Sequence, residues 1–314
     1  MDPATLTIFN HLFASVADEM GVTLGRTAYS PNIKERLDFS CAVFLGGNSA
    51  QLLAQAAHIP VHLGAMPASV RAAAERCAPL HPGDVIILND PYSGGNHLPD
   101  VTLVSPVFLE ADPVSATGGQ AASPSFLIAS RAHHADVGGM SPGSMPLSTE
   151  LFQEGIIIPP VKLVEEGNLN EALWQIILRN VRSPWEREGD LAAQLAAHDT
   201  GATRLREIAG RYGRTELRQQ ANALIDYAET LTRSAIRMIP AGRYAFCDVL
   251  DDDGQSDSPV PVCATLTVSG DTLTVDFEGT SSAVGGNLNA VPAIADSAVV
   301  YCVRCVVLAL LQTD

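Results

Sequence analysis

What the chain lacks narrows its function first. No phosphate-binding loop of the GxxxxGK[ST] kind occurs in the 314 residues, so ATP has no recognised cradle here. Positive charge is scarce. Nineteen Lys and Arg stand against 35 Asp and Glu, and the resulting net charge of −16 repels phosphate backbones and anionic lipid. Neither nucleic acid nor a membrane surface is therefore an expected partner. The opening stretch MDPATLTIFNHLFASVADEM has no basic leader and carries Asp2 and Asp18, which argues against a secretory signal. The longest apolar run, AVVYCVRCVVLALL at 298–311, is interrupted by Arg304 and is short for a membrane span, so it is expected to form a buried helix. Cysteine is sparse as well. Six in a chain of this length, with no secretion signal, predict reduced thiols in a cytoplasmic protein. Cys302 and Cys305 form a CxxC inside that apolar run, with no second pair at metal spacing, and read as core residues.

What remains is the composition of a folded protein: 46% apolar and 17% charged, with enough length for two domains or one large one. No solenoid repeat is present. Residues 4–27 predict an amphipathic helix, with Leu6, Phe9, Phe13, Val16, Met20 and Leu24 on one stripe. Short strands are expected at 39–44, at 85–88, in VTLVSPVF and in FLIAS; His58 and His62 are placed in a loop before a helix starting near Met66. Ala- and Ser-rich residues 111–125 read as a surface insert. Three amphipathic segments fill 170–238, followed by the strand GRYAFCDVL and the hairpin PVCATLTVSGDTLTVDFEG. The acidic run 251–258 is expected to solvate a loop, since it lacks the terminal Glu of an EF-hand. Helices and strands do not alternate strictly, which predicts an α+β fold with mixed sheets, an amphipathic helical middle and a hairpin-rich later part. The expected regions are 1–165, 166–240 and 241–314.

Two short elements carry chemistry. NDPYSGGNHLPD ends in His97-Leu-Pro-Asp100, and SRAHHADVGG contains His133-His-Ala-Asp136. Each follows a short apolar strand and lies beside a glycine pair. Pro99 forces Leu98 into extended geometry, so the first HxxD is not a helix face. Strands lying side by side would bring the two loops together, and imidazoles with carboxylates suit a divalent ion such as Zn, Mn or Fe. The alternative is that each HxxD is an incidental polar loop; Asp90 reads equally as a ligand or as a cap for the turn at Pro91.

Five blocks, NIKERLDFSCAVF, HIPVHLGAMPASV, NDPYSGGNHLPDVTL, ASRAHHADVGGMSPGSMP and EGDLAAQLAA, resemble the hydantoinase B and 5-oxoprolinase family, in order along essentially the whole chain. Its members include B subunits of ATP-dependent N-methylhydantoinases, the C-terminal half of 5-oxoprolinases and a subunit of acetone-type carboxylases. The resemblance implies a divalent metal on His97, Asp100 and His133. His134 and Asp136 stand beside it as the candidate catalytic pair, with Asp136 alternatively a further ligand or an orienting partner. Lys34, Glu35, Arg36 and Asp38 are candidates for binding substrate or phosphate, against the alternative of a salt-bridged loop. His58 and His62 read as packed structural residues, though one of them could face the site. The resemblance also implies that a separate A-type, kinase-like subunit binds ATP and phosphorylates the substrate. The expected activity is hydrolysis of a cyclic amide, 5-oxoproline or a hydantoin, within a cytoplasmic hetero-oligomer. Ketone carboxylation and a non-catalytic assembly module are the alternatives. Chains of this family usually run beyond the point where this one stops, so a C-terminal truncation is expected.

Overall fold

Asp2 starts the first helix. Its carboxylate accepts from the backbone N–H groups of Ala4 and Thr5, and Pro3 occupies the first turn, where no N–H is missed. The computed structural model describes residues 2–47, 50–56, 58–109, 123–143 and 145–311. Its elements are α1 (Pro3–Thr27), α2 (Pro31–Lys34), β1 (Phe39–Leu45), β2 (Leu52–Gln55), α3 (Pro60–Arg76), β3 (Val85–Leu88), β4 (Asp100–Val107), β5 (Phe126–His133), β6 (Val161–Glu165) and β7 (Asn168–Leu169). There follow α4 (Glu171–Arg179), α5 (Pro184–Tyr212), α6 (Arg214–Ile236), β8 (Gly242–Leu250), β9 (Val260–Ser269), β10 (Thr272–Asp276) and α7 (Pro292–Leu311).

A seven-stranded sheet ordered β2-β1-β5-β4-β3-β6-β7, antiparallel at each pairing, is the frame. Its pleat sends alternate residues to opposite layers. Phe39, Cys41 and Val43 of β1 join Phe126 and Ile128 of β5 under α1, α5 and α6. Ala42 and Phe44 join Leu127 and Ala129 under Met66 and Val70 of α3 on the other face. Each fully buried Phe or Leu in these layers contributes roughly 1.5–3 kcal/mol. A separate three-stranded sheet, β10-β9-β8, follows. The fold is α+β, as the sequence implied.

Four expectations are corrected. The third helix begins at Pro60, a full turn and more before Met66, so His62 is helical and not in a loop. Cys247 and Cys263 face one another across the β8–β9 ladder and form a disulfide, so not all cysteines are thiols. Helix α7 is not buried: only 6% of its apolar stretch is inside the fold, and by length and composition it is long and apolar enough to cross a membrane. Its Cys302 and Cys305 are exposed, not core. The acidic loop is largely exposed, yet Asp253 is buried and accepts from Gln255 N and Ser256 N. Most of the Ala/Ser-rich insert, residues 110–122, lies outside the described residues.

Candidate metal centre

The loop from β3 to β4 is braced from below. Asn89, fully buried, donates from Nδ2 to Leu98 O (2.8 Å) and Ile156 O (3.0 Å), and its Oδ1 accepts from Ile158 N (2.7 Å). Gly94 takes a left-handed φ of 91° against α3, where an added Cβ would stand 2.7 Å from the Ala68 backbone. Asp90 is a cap: it accepts from Tyr92 N and from Ser93 Oγ. The loop therefore delivers His97 and Asp100 in fixed positions.

β3 and β5 both flank β4, and Asp100, the first residue of β4, lies directly opposite His133, the last of β5. Directly opposed residues project to the same face of a sheet. Asp100 Oδ1 is 2.9 Å from His97 Nε2 and 3.1 Å from His133 Nδ1, and those two nitrogens are 3.2 Å apart. Adjacent donors about 2.1 Å from one ion stand roughly 3.0–3.4 Å apart, so the three spacings fit a shared divalent cation. The trio is the one group of such donors, among the described residues, whose ligand atoms all lie within 4.8 Å of one another. Two imidazoles and one carboxylate are a donor set of intermediate softness, suited to Zn, Mn or Fe.

Asp100 is 2% exposed, and its other oxygen is equally engaged. Asn96 Nδ2 donates to Oδ2 (3.2 Å), and His62 Nε2 approaches it at 3.3 Å from the first turns of α3. Ser40 Oγ contacts the far ring nitrogen of His62 at 3.1 Å and so sets its orientation. Burial alone would raise the Asp100 pKa, but hydrogen bonds from His133, His62 and His97 hold it well below the usual carboxylate range. Burial opposes a charge on His97; Asp100 outweighs it and lifts the pKa above the ordinary imidazole value. Behind the carboxylate lies Arg131, wholly buried, bonded to Thr102 Oγ1 (2.9 Å) and Ser69 Oγ (2.6 Å).

The donors open into a pocket of about 360 Å³ whose wall includes Arg36, Asp38 and His62. His97 also borders a second cleft of about 190 Å³, lined by Asn96, Ser148, Glu150, Glu154 and Asn287 among others. Of the expected substrate residues, Arg36 and Asp38 reach the pocket; Lys34 and Glu35 are exposed elsewhere on the same turn. Asp38 Oδ1 lies 3.9 Å from His62 Nε2. The structure does not bring His134 or Asp136 to this pocket. Asp136 accepts from Gly138 N (3.0 Å) and Arg182 Nη1 (2.9 Å), tying the glycine turn to the break between α4 and α5. His58 packs edge-on to Phe39, and its Nδ1 accepts from Cys41 N at 3.3 Å. Of the two histidines left open by the sequence, His62 faces the site and His58 does not; Ser40, Asn96 and Arg131 were not singled out as site residues from the sequence. Arg131 carried a usable signal, since in a strand running to His133 it shares that residue's face.

His134 points to the opposite face, toward α5. Its Nε2 lies 3.0 Å from Gln194 Oε1, and Gln194 Nε2 donates to Ser130 Oγ (3.2 Å). Beyond Ser130, His198 is held by Ser105 Oγ (2.7 Å) and Ser130 Oγ (3.0 Å). Burial pushes His198 down to about 3; burial and then Arg187 push His134 down to about 4. Depressed imidazoles bind protons in the unfolded chain first. Their contribution is complete above about pH 6.5 and is lost as pH falls toward those values, on the order of several kcal/mol in all. Urea midpoints measured between pH 6.5 and pH 4 should therefore fall, and fall less steeply in His198→Leu. An unchanged slope in that variant would remove His198 as a cause.

A buried carboxylate and two imidazoles thus converge at the strand ends of an antiparallel sheet in an α+β fold, a group that could hold a metal ion. The comparison with known sequences then assigns the family. The chain belongs to the hydantoinase B/oxoprolinase family, whose model matches residues 2–311. It is 37% identical over 312 residues to an uncharacterised protein of Methanocaldococcus jannaschii, covering 98% of this chain and 52% of that one. It is also 37% identical over 330 residues to 5-oxoprolinase 1 of Arabidopsis thaliana, covering 98% of this chain and 25% of the relative. Among solved structures it is similar to the ATP-dependent caprolactamase of Pseudomonas jessenii, with a TM-score of 0.85 and 29% identity over 96% of this chain and 50% of that one. The chain thus spans from a quarter to about half the length of these relatives.

Proposed function

We propose that this chain is the B-type part of an ATP-dependent cyclic-amide hydrolase, opening 5-oxoproline or a hydantoin after a separate A-type subunit has phosphorylated the substrate. The observation that carries this reading is the convergence of His97, Asp100 and His133 on one point at the base of an open pocket. Family membership and the caprolactamase likeness support the reaction class. Phosphorylating an amide oxygen turns a resonance-stabilised carbonyl into an electrophile that water can attack. A divalent ion bound by His97, Asp100 and His133 would supply the Lewis acidity that makes water nucleophilic near neutral pH.

The chain's own residues do the rest. Arg36 and Asp38 at the pocket wall hold the substrate, Arg36 pairing with the phosphoryl oxygens. His62, Asn96 and Ser40 fix the Asp100 carboxylate. His134 and Asp136 take structural roles, because both are occupied away from the pocket. Residues 1–165 form the metal-site region, 166–240 its helical support and 241–314 the hairpin-rich part. The assembly is a cytoplasmic hetero-oligomer that takes up ATP through its A-type subunit.

Reconstitution with an A-type subunit tests this, by following ADP release together with ring opening. Arg36→Ala is expected to raise the KM for the lactam by about tenfold or more, the worth of one charge-assisted hydrogen bond, while metal content stays constant. ADP release with no ring opening on either substrate would defeat the reading. Bicarbonate-dependent ATP consumption with a ketone would reassign the chain to carboxylation.

A further inference from the structure

His97 is shared by two cavities. One is the pocket that Arg36 and Asp38 line; the other, of about 190 Å³, lies between the β3–β4 loop, the 148–154 segment and the 286–291 segment. Its walls are braced by bonds that do not involve the metal donors. Asn287 Nδ2 donates to Pro146 O (2.7 Å), Asn289 Nδ2 to Val284 O and Gly286 O (each 2.9 Å), and Ser148 Oγ to Glu154 Oε1 (2.6 Å). The charge of this cleft is one-sided. Glu150 and Glu154 line it, and no Lys or Arg is among the described residues that do. Glu154 is half-buried, so water screens it less than the exposed Glu150. On the inner wall stands Asn96, only 7% exposed. Its Nδ2 is committed to Asp100 Oδ2 (3.2 Å), while its Oδ1 is buried with no hydrogen-bond partner among the described residues. Turning the amide over would not help, because Asp100 would then face an oxygen in place of its donor. A buried amide oxygen without a donor is rare in a folded protein, and a donor lodged in the cleft would satisfy it.

We propose that this cleft is a specificity subsite: it receives the substituent of the cyclic amide, accepts an N–H-bearing group without negative charge, and rejects a carboxylate. This rests on the amide-opening role proposed above and narrows which amide is opened. A ring held at His97 can extend two ways. Toward Arg36 lies the cation for the phosphoryl oxygens; toward Asn96 lies a wall rich in acceptors, formed by Asn96 Oδ1 and the carboxylates of Glu150 and Glu154. The side-chain donors Asn287 Nδ2 and Ser148 Oγ are already engaged with Pro146 O and Glu154. A carboxamide or ureido N–H donates to those acceptors. A carboxylate donates to none, and it enters the field of Glu154 in a recess with no Lys or Arg on its described walls. His97 does not compensate, because its Nε2 is 2.9 Å from Asp100 Oδ1 and any charge it carries is already matched. A hydantoin, neutral and edged with N–H, fits this cleft. 5-Oxoproline, which carries a carboxylate, is the poorer substrate.

The test compares 5-oxoproline with 5-oxoprolinamide, which differ at the substituent alone. Calorimetric titration of the chain with each is expected to show the carboxamide binding at least about tenfold more tightly. Glu154→Gln keeps an acceptor for Ser148 and removes the charge. It should bring the carboxylate to within about threefold of the carboxamide, with metal content and circular dichroism unchanged. In the chain reconstituted with its A-type subunit, kcat/KM should follow the same order. Equal or reversed affinities overturn the proposal. So does binding of neither compound, or a preference that survives Glu154→Gln combined with Glu150→Gln. The hydrolase reading fails separately. ADP release without ring opening of either compound defeats that reading and leaves the measured binding preference in place. Ring opening of both compounds with equal kcat/KM removes the subsite and leaves the hydrolase.

Discussion

Asp100→Ala is expected to reduce divalent-metal affinity by on the order of 100-fold or more, given that loss of an outer orienting partner alone costs about 10–100-fold. The expectation follows from the number of groups that converge on one carboxylate. One Asp100 oxygen lies between His97 and His133, and the other holds His62 and Asn96. The variant loses the only anionic donor of the trio and leaves several buried polar groups without their acceptor. It also leaves Arg131 with no adjacent carboxylate to offset its burial, which already lowers its pKa to about 10. His97→Ala removes a single donor that is about one-third exposed and should cost less. Metal analysis after dialysis checks both. Full retention of metal in both variants would show that the ion is held elsewhere.

The second large effect belongs to stability. Arg187 and Asp190 lie one turn apart on α5, both buried, with Arg187 Nη2 2.9 Å from Asp190 Oδ2. The other Asp190 oxygen accepts from Tyr29 N (2.8 Å) and Ser30 N (3.0 Å), just beyond the end of α1. One carboxylate therefore neutralises a buried guanidinium and joins two helices. Asp190→Ala should destabilise the chain by about 3–5 kcal/mol, since breaking a buried pair leaves an uncompensated charge in the interior. Glu186 also contacts Arg187 at 3.0 Å but is more exposed and takes none of the backbone bonds. Denaturant unfolding of the variant gives the value; a shift under about 1 kcal/mol would mean that water or Glu186 replaces Asp190.

Much of the frame was legible because its periods are strong. The apolar stripe of residues 4–27 and the helical stretch from 170 to 238 stand out at helical spacing, and Val85–Leu88 reads as a strand by its length and branching. The two HxxD loops were legible because each follows such a strand; the choice of His97, Asp100 and His133 within them came from the family resemblance, and Asp136 is not part of the group. The start of α3 was not: Ile59 offers no side-chain cap, so nothing before Pro60 signals a helix, and the sequence did not decide which of His58 and His62 faces the site. The α7 run is apolar around most of its circumference, and such a pattern implies a buried helix, whereas most of α7 is not buried. Pairing of Cys247 with Cys263 depends on the register of two strands, which a count of cysteines does not contain.

The β4–β5 ladder has one more consequence. Asp100 and His133 form its last rung, whereas Val107 and Phe126 form the rung at the opposite edge of the sheet. Roughly 24 Å of paired backbone separates the two ends. The Ala- and Ser-rich insert connects the far end. Its length and composition can therefore drift between homologues, or be replaced by a tag or a fluorophore, without moving a ligand atom. Variation and chemistry are insulated from each other by a single hairpin.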